Sequence, residues 1–195
     1  VVDFCAGAGG KTLLLGAMTA STGRLYAIDI SEKRLANLMP RLARSGLSNV
    51  HPVRIESEND IKVKRLAGKL DRVLVDAPCS GLGTLRRNPD LKWRQSAQSV
   101  AELTQKQAAI LASASTLVKS GGRLVYATCS LLAAENDAIV AAFLAAHPDF
   151  AVRPAVEVLG AQGIAIETSG DDGFLRLLPH RHGTDGFFAA VMQRR

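Results

Sequence analysis

Short runs rich in β-branched residues alternate with amphipathic stretches of helical length along most of this chain, and no other feature narrows its fold as far. Such alternation marks a parallel sheet covered by helices, because each crossover between parallel strands needs a dozen or more residues. The pattern predicts strands over 1–4, 24–28, 50–55, 72–75 and 123–128, and helices over 12–20, 31–45, 99–119 and 135–146. In the longest helix Val100, Leu103, Ile110, Leu111, Ala114, Leu117 and Val118 recur at three-and-four spacing, and Gly121-Gly122 reads as its stop. From Phe150 onward glycines and prolines leave shorter runs, of which 174–178 and 187–192 are expected to pair as a hairpin closing one sheet edge. The expected class is α/β: a mostly parallel twisted sheet with helices on both faces and an antiparallel C-terminal strand pair. At 195 residues this is one domain, 1–195, able to bury roughly 70% of its unfolded surface.

Charge is uneven. Residues 1–100 carry 16 basic and 9 acidic side chains, and residues 101–195 carry 8 and 9, so the net +6 belongs to the first half and suits a polyanionic partner such as nucleic acid. Cys5, Cys79 and Cys129 cannot all pair, and no apolar run reaches membrane length, so they read as reduced thiols of a cytoplasmic protein, expected to be a monomer. His51, His147, His180 and His182 lack metal-ligand spacing with the cysteines, and no metal is expected. The chain opens inside a buried-strand pattern, which leads us to expect a preceding segment.

The loop Asp3-Phe4-Cys5-Ala6-Gly7-Ala8-Gly9-Gly10-Lys11-Thr12 follows a strand and opens a helix. There, glycines let the backbone approach a ligand, and free amides at the helix start favour electron-rich groups. Cys5, Ala6, Gly7, Ala8, Gly9, Gly10 and Lys11 are therefore candidate cofactor contacts. Asp29 ends the next strand, 19 residues after Gly10, where a carboxylate accepts the hydroxyl hydrogens of an adenosine ribose. A third contact is expected among Glu56, Glu58, Asn59 and Asp60, with Asp60 chosen for the adenine side. Charge and spacing fit S-adenosylmethionine and a dinucleotide equally.

Asp76-Ala77-Pro78-Cys79-Ser80-Gly81 and Ala127-Thr128-Cys129-Ser130 each follow a strand, so both thiols should lie on the edge that carries the glycine loop. Two thiols beside a methyl donor suit carbon 5 of cytosine, which becomes nucleophilic only after a thiolate adds at carbon 6. A second ionisable group must then help remove the carbon 5 proton. Asp76, at the strand end, is placed to hydrogen-bond the ring nitrogen and amino group, acting as the acid if protonated, and it counts with the cofactor contacts as well. The stretch 85–94 brings Arg86, Arg87, Lys92 and Arg94 as candidate RNA contacts, with Trp93 expected to pack under the loop rather than stack on a base.

Together the loop 3–12, Asp29, the segment 76–80, Arg86-Arg87-Asn88-Pro89-Asp90-Leu91-Lys92-Trp93, the segment 126–130, Glu135-Asn136 and Asp185-Gly186-Phe187-Phe188 resemble the Sun/RsmB (Fmu) family of RNA cytosine-5 methyltransferases. The resemblance implies a Rossmann-like class I methyltransferase core, S-adenosylmethionine as cofactor and an RNA substrate, ribosomal rather than transfer RNA. It also implies Cys129 as the nucleophile, Cys79 as the group that aids product release, and an RNA-recognition segment ahead of the core. The cofactor loop departs from the family's Ala-Ala-Pro-Gly-Gly-Lys, since Ala8 stands where proline is usual, a loosening worth up to about 1 kcal/mol of affinity. Two other readings compete: a dinucleotide oxidoreductase, which leaves both cysteine motifs idle, and a non-catalytic RNA-binding or ribosome-assembly factor that retains the fold.

Overall fold

The computed structural model describes residues 1–168, 170 and 172–195. Its centre is β1 (Val2–Phe4), with no residue more than marginally exposed, flanked in parallel by β2 (Leu25–Asp29) and β4 (Leu70–Asp76). Beyond β2 lies β3 (Val50–Arg54), and beyond β4 lies β5 (Val118–Thr128), both parallel. The chain thus runs outward from β1 in one direction, returns, and continues from β4 in the other. The switch between β1 and β4 opens a crevice at their carboxyl ends, where ligands bind in folds of this kind.

Helices cover both faces. On one, α1 (Gly10–Met18) and α2 (Glu32–Ser45) close over Leu25, Ala27 and Val50, with Leu35 and Leu38 of α2 buried among them. On the other, Ile110, Leu111 and Ala114 of α5 (Ala97–Ser115) and Ile139, Val140 and Phe143 of α6 (Asp137–Ala146) pack on Phe4, Ile28, Val73, Val75 and Leu124. Leu25 and Ala27 face one cluster and Ile28 the other, the two-residue period of a strand buried on both sides. The one-turn helices α3 (Ile61–Lys64) and α4 (Leu91–Arg94) lie in the connections that follow β3 and β4.

Two expectations need correction. Helix α5 ends at Ser115, not Lys119, because Leu117 and Val118, though fully buried, already belong to the sheet: the Leu70 amide donates to the Leu117 carbonyl, and Val118 pairs with Leu70. Gly121 and Gly122 are accordingly not a helix stop but a bulge within β5, where the register shifts between Leu70 and Arg72. Gly121 has φ 74°, and a Cβ on Gly122 would lie 2.8 Å from the Lys119 carbonyl oxygen.

The C-terminal region holds more strand than expected. After β6 (Phe150–Arg153), α7 (Ala155–Gly160), β7 (Leu175–Leu177) and α8 (Pro179–His182), the chain ends in β8 (Phe187–Arg194). The expected antiparallel pair is present as β7 and β8, but β8 does not close the sheet. It lies between β5 on one side and β6 and β7 on the other, with Phe188, Ala190 and Met192 buried. Among the described residues no helix is long and apolar enough to cross a membrane.

Candidate active site

The loops after β1, β2, β3 and β4 enclose a cavity of about 760 Å³ at the carboxyl edge of the sheet, within the roughly 300–1,000 Å³ of small-molecule sites. Cys5, Ala6, Gly7 and Ala8 form one side of it, Ile28 to Ser31 the next, and Ile55, Glu56, Ser57 and Glu58 the third; Asp76, Pro78, Lys106 and Ile110 complete the wall. Asp29 is buried, and its two oxygens accept the amides of Gly7 at 2.8 Å and Ser31 at 2.7 Å. Each carboxylate oxygen can accept a second bond, so Asp29 has capacity for a pair of ligand hydroxyls. Cys5 adopts φ 71°, and burial, followed by the nearby carboxylates of Asp29, Asp3 and Asp76, pushes its thiol up to about 12. It is a wall of the cavity and not a nucleophile. Where a proline was expected to be missed, Arg41 of α2 donates to the Ala8 carbonyl at 3.2 Å and steadies the loop.

Gly9 caps α1 and Gly10 and Lys11 are its first residues; none of the three lines the cavity. Gly9 has φ 83°, and its added Cβ would fall 2.2 Å from Leu38 Cδ1, so it serves the packing of α1 on α2. Asp60 is also absent from the cavity. Its oxygens accept the amides of Lys62 at 2.8 Å and Glu56 at 2.9 Å, capping α3 and holding it below the usual carboxylate range. The cavity wall after β3 is built from Glu56, Ser57 and Glu58 instead.

The two cysteines meet. Asp76 ends β4 opposite Ala127 of β5, so the loops that follow leave the sheet side by side, and Cys79 Sγ lies 3.4 Å from Cys129 Sγ. The hydrogen bond from Cys79 lowers Cys129 to about 7, while burial opposes the change; Cys79 is raised, first by that same bond and then by burial. The direction favours Cys129 as the member of the pair that ionises first, with Cys79 as the thiol that holds it. Lys11 Nζ donates to Asp76 Oδ2 at 2.6 Å and sits 5.6 Å from the Phe187 ring centroid. Lys11 thus reaches Asp76, which both lines the cavity and precedes the Cys79 loop.

Beneath the thiols, Glu135 is fully buried and joins both loops. Its carboxylate accepts the Ser80 amide at 2.8 Å, the Ser80 and Ser130 hydroxyls at 2.5 Å each, and Gln107 Nε2 at 2.9 Å. The sequence reading gave no role to Glu135 or Gln107. One signal was present: Gln107 interrupts the apolar stripe of α5 between Leu103 and Ile110, a polar side chain on a buried face.

The candidate RNA contacts lie along the stretch after β4, all exposed. Asp185 pairs with Arg87 Nε at 3.1 Å and Arg86 Nε at 3.7 Å; Arg94 pairs with Asp90 at 2.6 Å; Lys92 Nζ lies 4.9 Å from the centre of the Trp93 ring. Trp93 does not pack under the loop. It is 80% exposed, because α4 is a single turn that buries none of its residues.

The comparison with protein families gives a match to 16S rRNA methyltransferase RsmB/F over residues 1–193. A probable ribosomal RNA small subunit methyltransferase B from Synechocystis sp. is 42% identical over 197 residues, covering 100% of this chain and 43% of that protein. One of the same description from Bacillus subtilis is 35% identical, covering 100% and 43%. The crystal structure of NSun6 from Pyrococcus horikoshii with SFG superposes with a TM-score of 0.84 at 30% identity, covering 99% of this chain and 47% of that one. The chain thus spans less than half the length of each of these three relatives. A match along nearly its whole length, with identities of this size and a shared fold, means that the chain belongs to the RsmB/F family of 16S rRNA methyltransferases.

Proposed function

We propose that this chain is the catalytic core of an RNA cytosine-5 methyltransferase acting on ribosomal RNA. The observation that carries the reading is the pair of cysteine sulfurs, Cys79 and Cys129, 3.4 Å apart beside the cavity. The cavity's donor set fits S-adenosylmethionine: Asp29 would hold the ribose hydroxyls, Ile55, Pro78 and Ile110 would flank the adenine, and the backbone at Cys5 to Ala8 would approach the amino-acid end. Bound there, that cofactor supplies an electrophilic methyl group. The family membership and the NSun6 structure solved with SFG support the choice.

The chain's own groups divide the remaining work. Cys129 adds as thiolate to carbon 6 of cytosine, forming the S–C bond and moving the ring π electrons to carbon 5, which then takes the methyl group. Asp76 accepts from the cytosine amino group, and the Lys11 ammonium bound to it offsets charge that builds on the ring. Once Cys129 is bonded to carbon, it no longer holds the Cys79 proton. Cys79 then ionises to solvent and removes the carbon 5 hydrogen, the C–H pair restores the double bond, and Cys129 leaves as thiolate. Arg86, Arg87, Lys92 and Arg94 hold RNA phosphates, a contact that requires the arginines to exchange Asp185 and Asp90 for the backbone.

The test is a pair of substitutions. With methyl donor and ribosomal RNA from cells lacking the gene, Cys79→Ala accumulates an RNA adduct on Cys129 that survives denaturing electrophoresis, and Cys129→Ala forms none and transfers no methyl group. Full activity of Cys129→Ala overturns the assignment.

A further inference from the structure

Glu135 is a buried carboxylate held by neutral donors only. Burying a charge is unfavourable by several kcal/mol unless hydrogen bonds offset it, and an apolar side chain of similar size would fill the space without that demand. Its bonds go to the residues that follow the two cysteines. Oε2 takes both Ser80 Oγ and Ser130 Oγ, whose oxygens are 3.2 Å apart, and Oε1 takes the Ser80 amide and Gln107 Nε2. Gln107 also donates to the Pro78 carbonyl at 2.9 Å, so α5 fixes the carboxylate from behind, and Tyr126 Oη donates to the Glu135 carbonyl at 2.6 Å. Backbone bonds from Ala77 to Ala127 and from Gly83 to Cys129 tie the two loops on either side of the thiols. Glu135 is the tie that reaches the residue adjoining each sulfur.

We propose that Glu135 is a positioning residue for the transfer reaction described above, on which this inference rests, and that it clamps Ser80 to Ser130 so that Cys79 and Cys129 stay within hydrogen-bond distance. The clamp touches neither substrate nor cofactor. It acts through Cys79, whose thiol holds the Cys129 thiolate, and its loss is therefore read at Cys129.

The experiment follows the pH midpoint of iodoacetamide alkylation at Cys129, read by peptide mass spectrometry on the purified protein without RNA or methyl donor. The unsubstituted protein should show a midpoint of about 7. Cys79→Ala and Glu135→Ala move it towards the ordinary thiol value of about 8.5. Glu135→Gln, which can still accept from Ser80 and Gln107 and donate to both hydroxyls, stays near 7. Ser130→Ala removes one arm at little risk to folding and shifts the midpoint part of the way, and adding it to Cys79→Ala shifts it no further. A midpoint that stays near 7 in Ser130→Ala, or a Ser130→Ala effect that adds in full to that of Cys79→Ala, overturns the clamp. Because no RNA is present, failure here is separable from failure of the methyltransferase reading, which is judged on adduct and methyl transfer.

Discussion

Asp3→Asn isolates one buried charge. Asp3 is 1% exposed in the middle of β1; Thr12 Oγ1 donates to Oδ2 at 2.6 Å, and Oδ1 has no partner among the described residues. Burial, partly opposed by that Thr12 bond, raises its carboxyl from 3.8 to about 6. At 1.36 kcal/mol per pH unit the difference is worth about 3 kcal/mol. The folded state holds the proton more tightly than the unfolded chain, so this contribution is fully present below pH 3.8 and is lost as pH rises through about 6. Asparagine keeps an acceptor for Thr12 and cannot ionise. Urea denaturation of both proteins at intervals from pH 4 to pH 8 should show the stability gap shifting by about 2.5 kcal/mol in favour of Asp3→Asn at the alkaline end, part of the roughly 3 kcal/mol being lost already at pH 4. Parallel stability profiles would refute the reasoning, since all other titrating groups are common to the two proteins.

Asp29→Asn should raise the dissociation constant for S-adenosylmethionine by roughly 10- to 100-fold in calorimetry, the loss expected of a charge-assisted hydrogen bond; unchanged affinity would remove Asp29 from the site. Gly83→Ala places a Cβ 2.4 Å from the Gly186 carbonyl oxygen and 2.6 Å from that of Cys129, both backbone atoms, and should destabilise by about 2–4 kcal/mol in denaturant titrations. Gly10→Ala, with nothing within 4 Å of the added carbon, should be neutral or slightly stabilising. Trp93 is the chain's only tryptophan and is exposed, so added RNA should quench the intrinsic fluorescence, and Trp93→Ala should weaken RNA binding by about 1–3 kcal/mol. Unaltered emission in saturating RNA would exclude a stacking role.

The parallel half of the fold was legible because strands buried on both faces read as continuous apolar runs, and the helices between them carry their own period. That legibility failed where local pattern and pairing disagree. Leu117 and Val118 continue the apolar stripe of α5, yet they are needed as the first sheet contacts of Leu70. Helical spacing cannot distinguish a buried helix end from a buried strand start, and only pairing with a segment nearly 50 residues away decides it. β6 was missed for a related reason: its four residues are half-buried at most apart from Phe150, and they become a strand because β8 offers an edge.

For the site, the deciding property was whether a residue's role is local or set by its partners. Cys79 and Cys129 were found because each follows a strand, and strand ends of a parallel sheet converge without further information. Asp60 lies outside the cavity wall, and an acid in the loop after a strand looks alike in sequence whether it faces a ligand or caps the next turn: the two amides that occupy it are those of Glu56 in the same loop and Lys62 in a four-residue helix with no periodic signal. Lys11 was singled out by its place beside the glycine loop, whereas its ion pair with Asp76, 65 residues on, is set by the fold. Glu135 is the extreme case. Its sequence position suggests a helix start, whereas its function is defined by Ser80, Ser130 and Gln107, which lie 55, 5 and 28 residues away. Groups that react can be read from chemistry and strand ends, while a group that holds them in place becomes visible only with its partners.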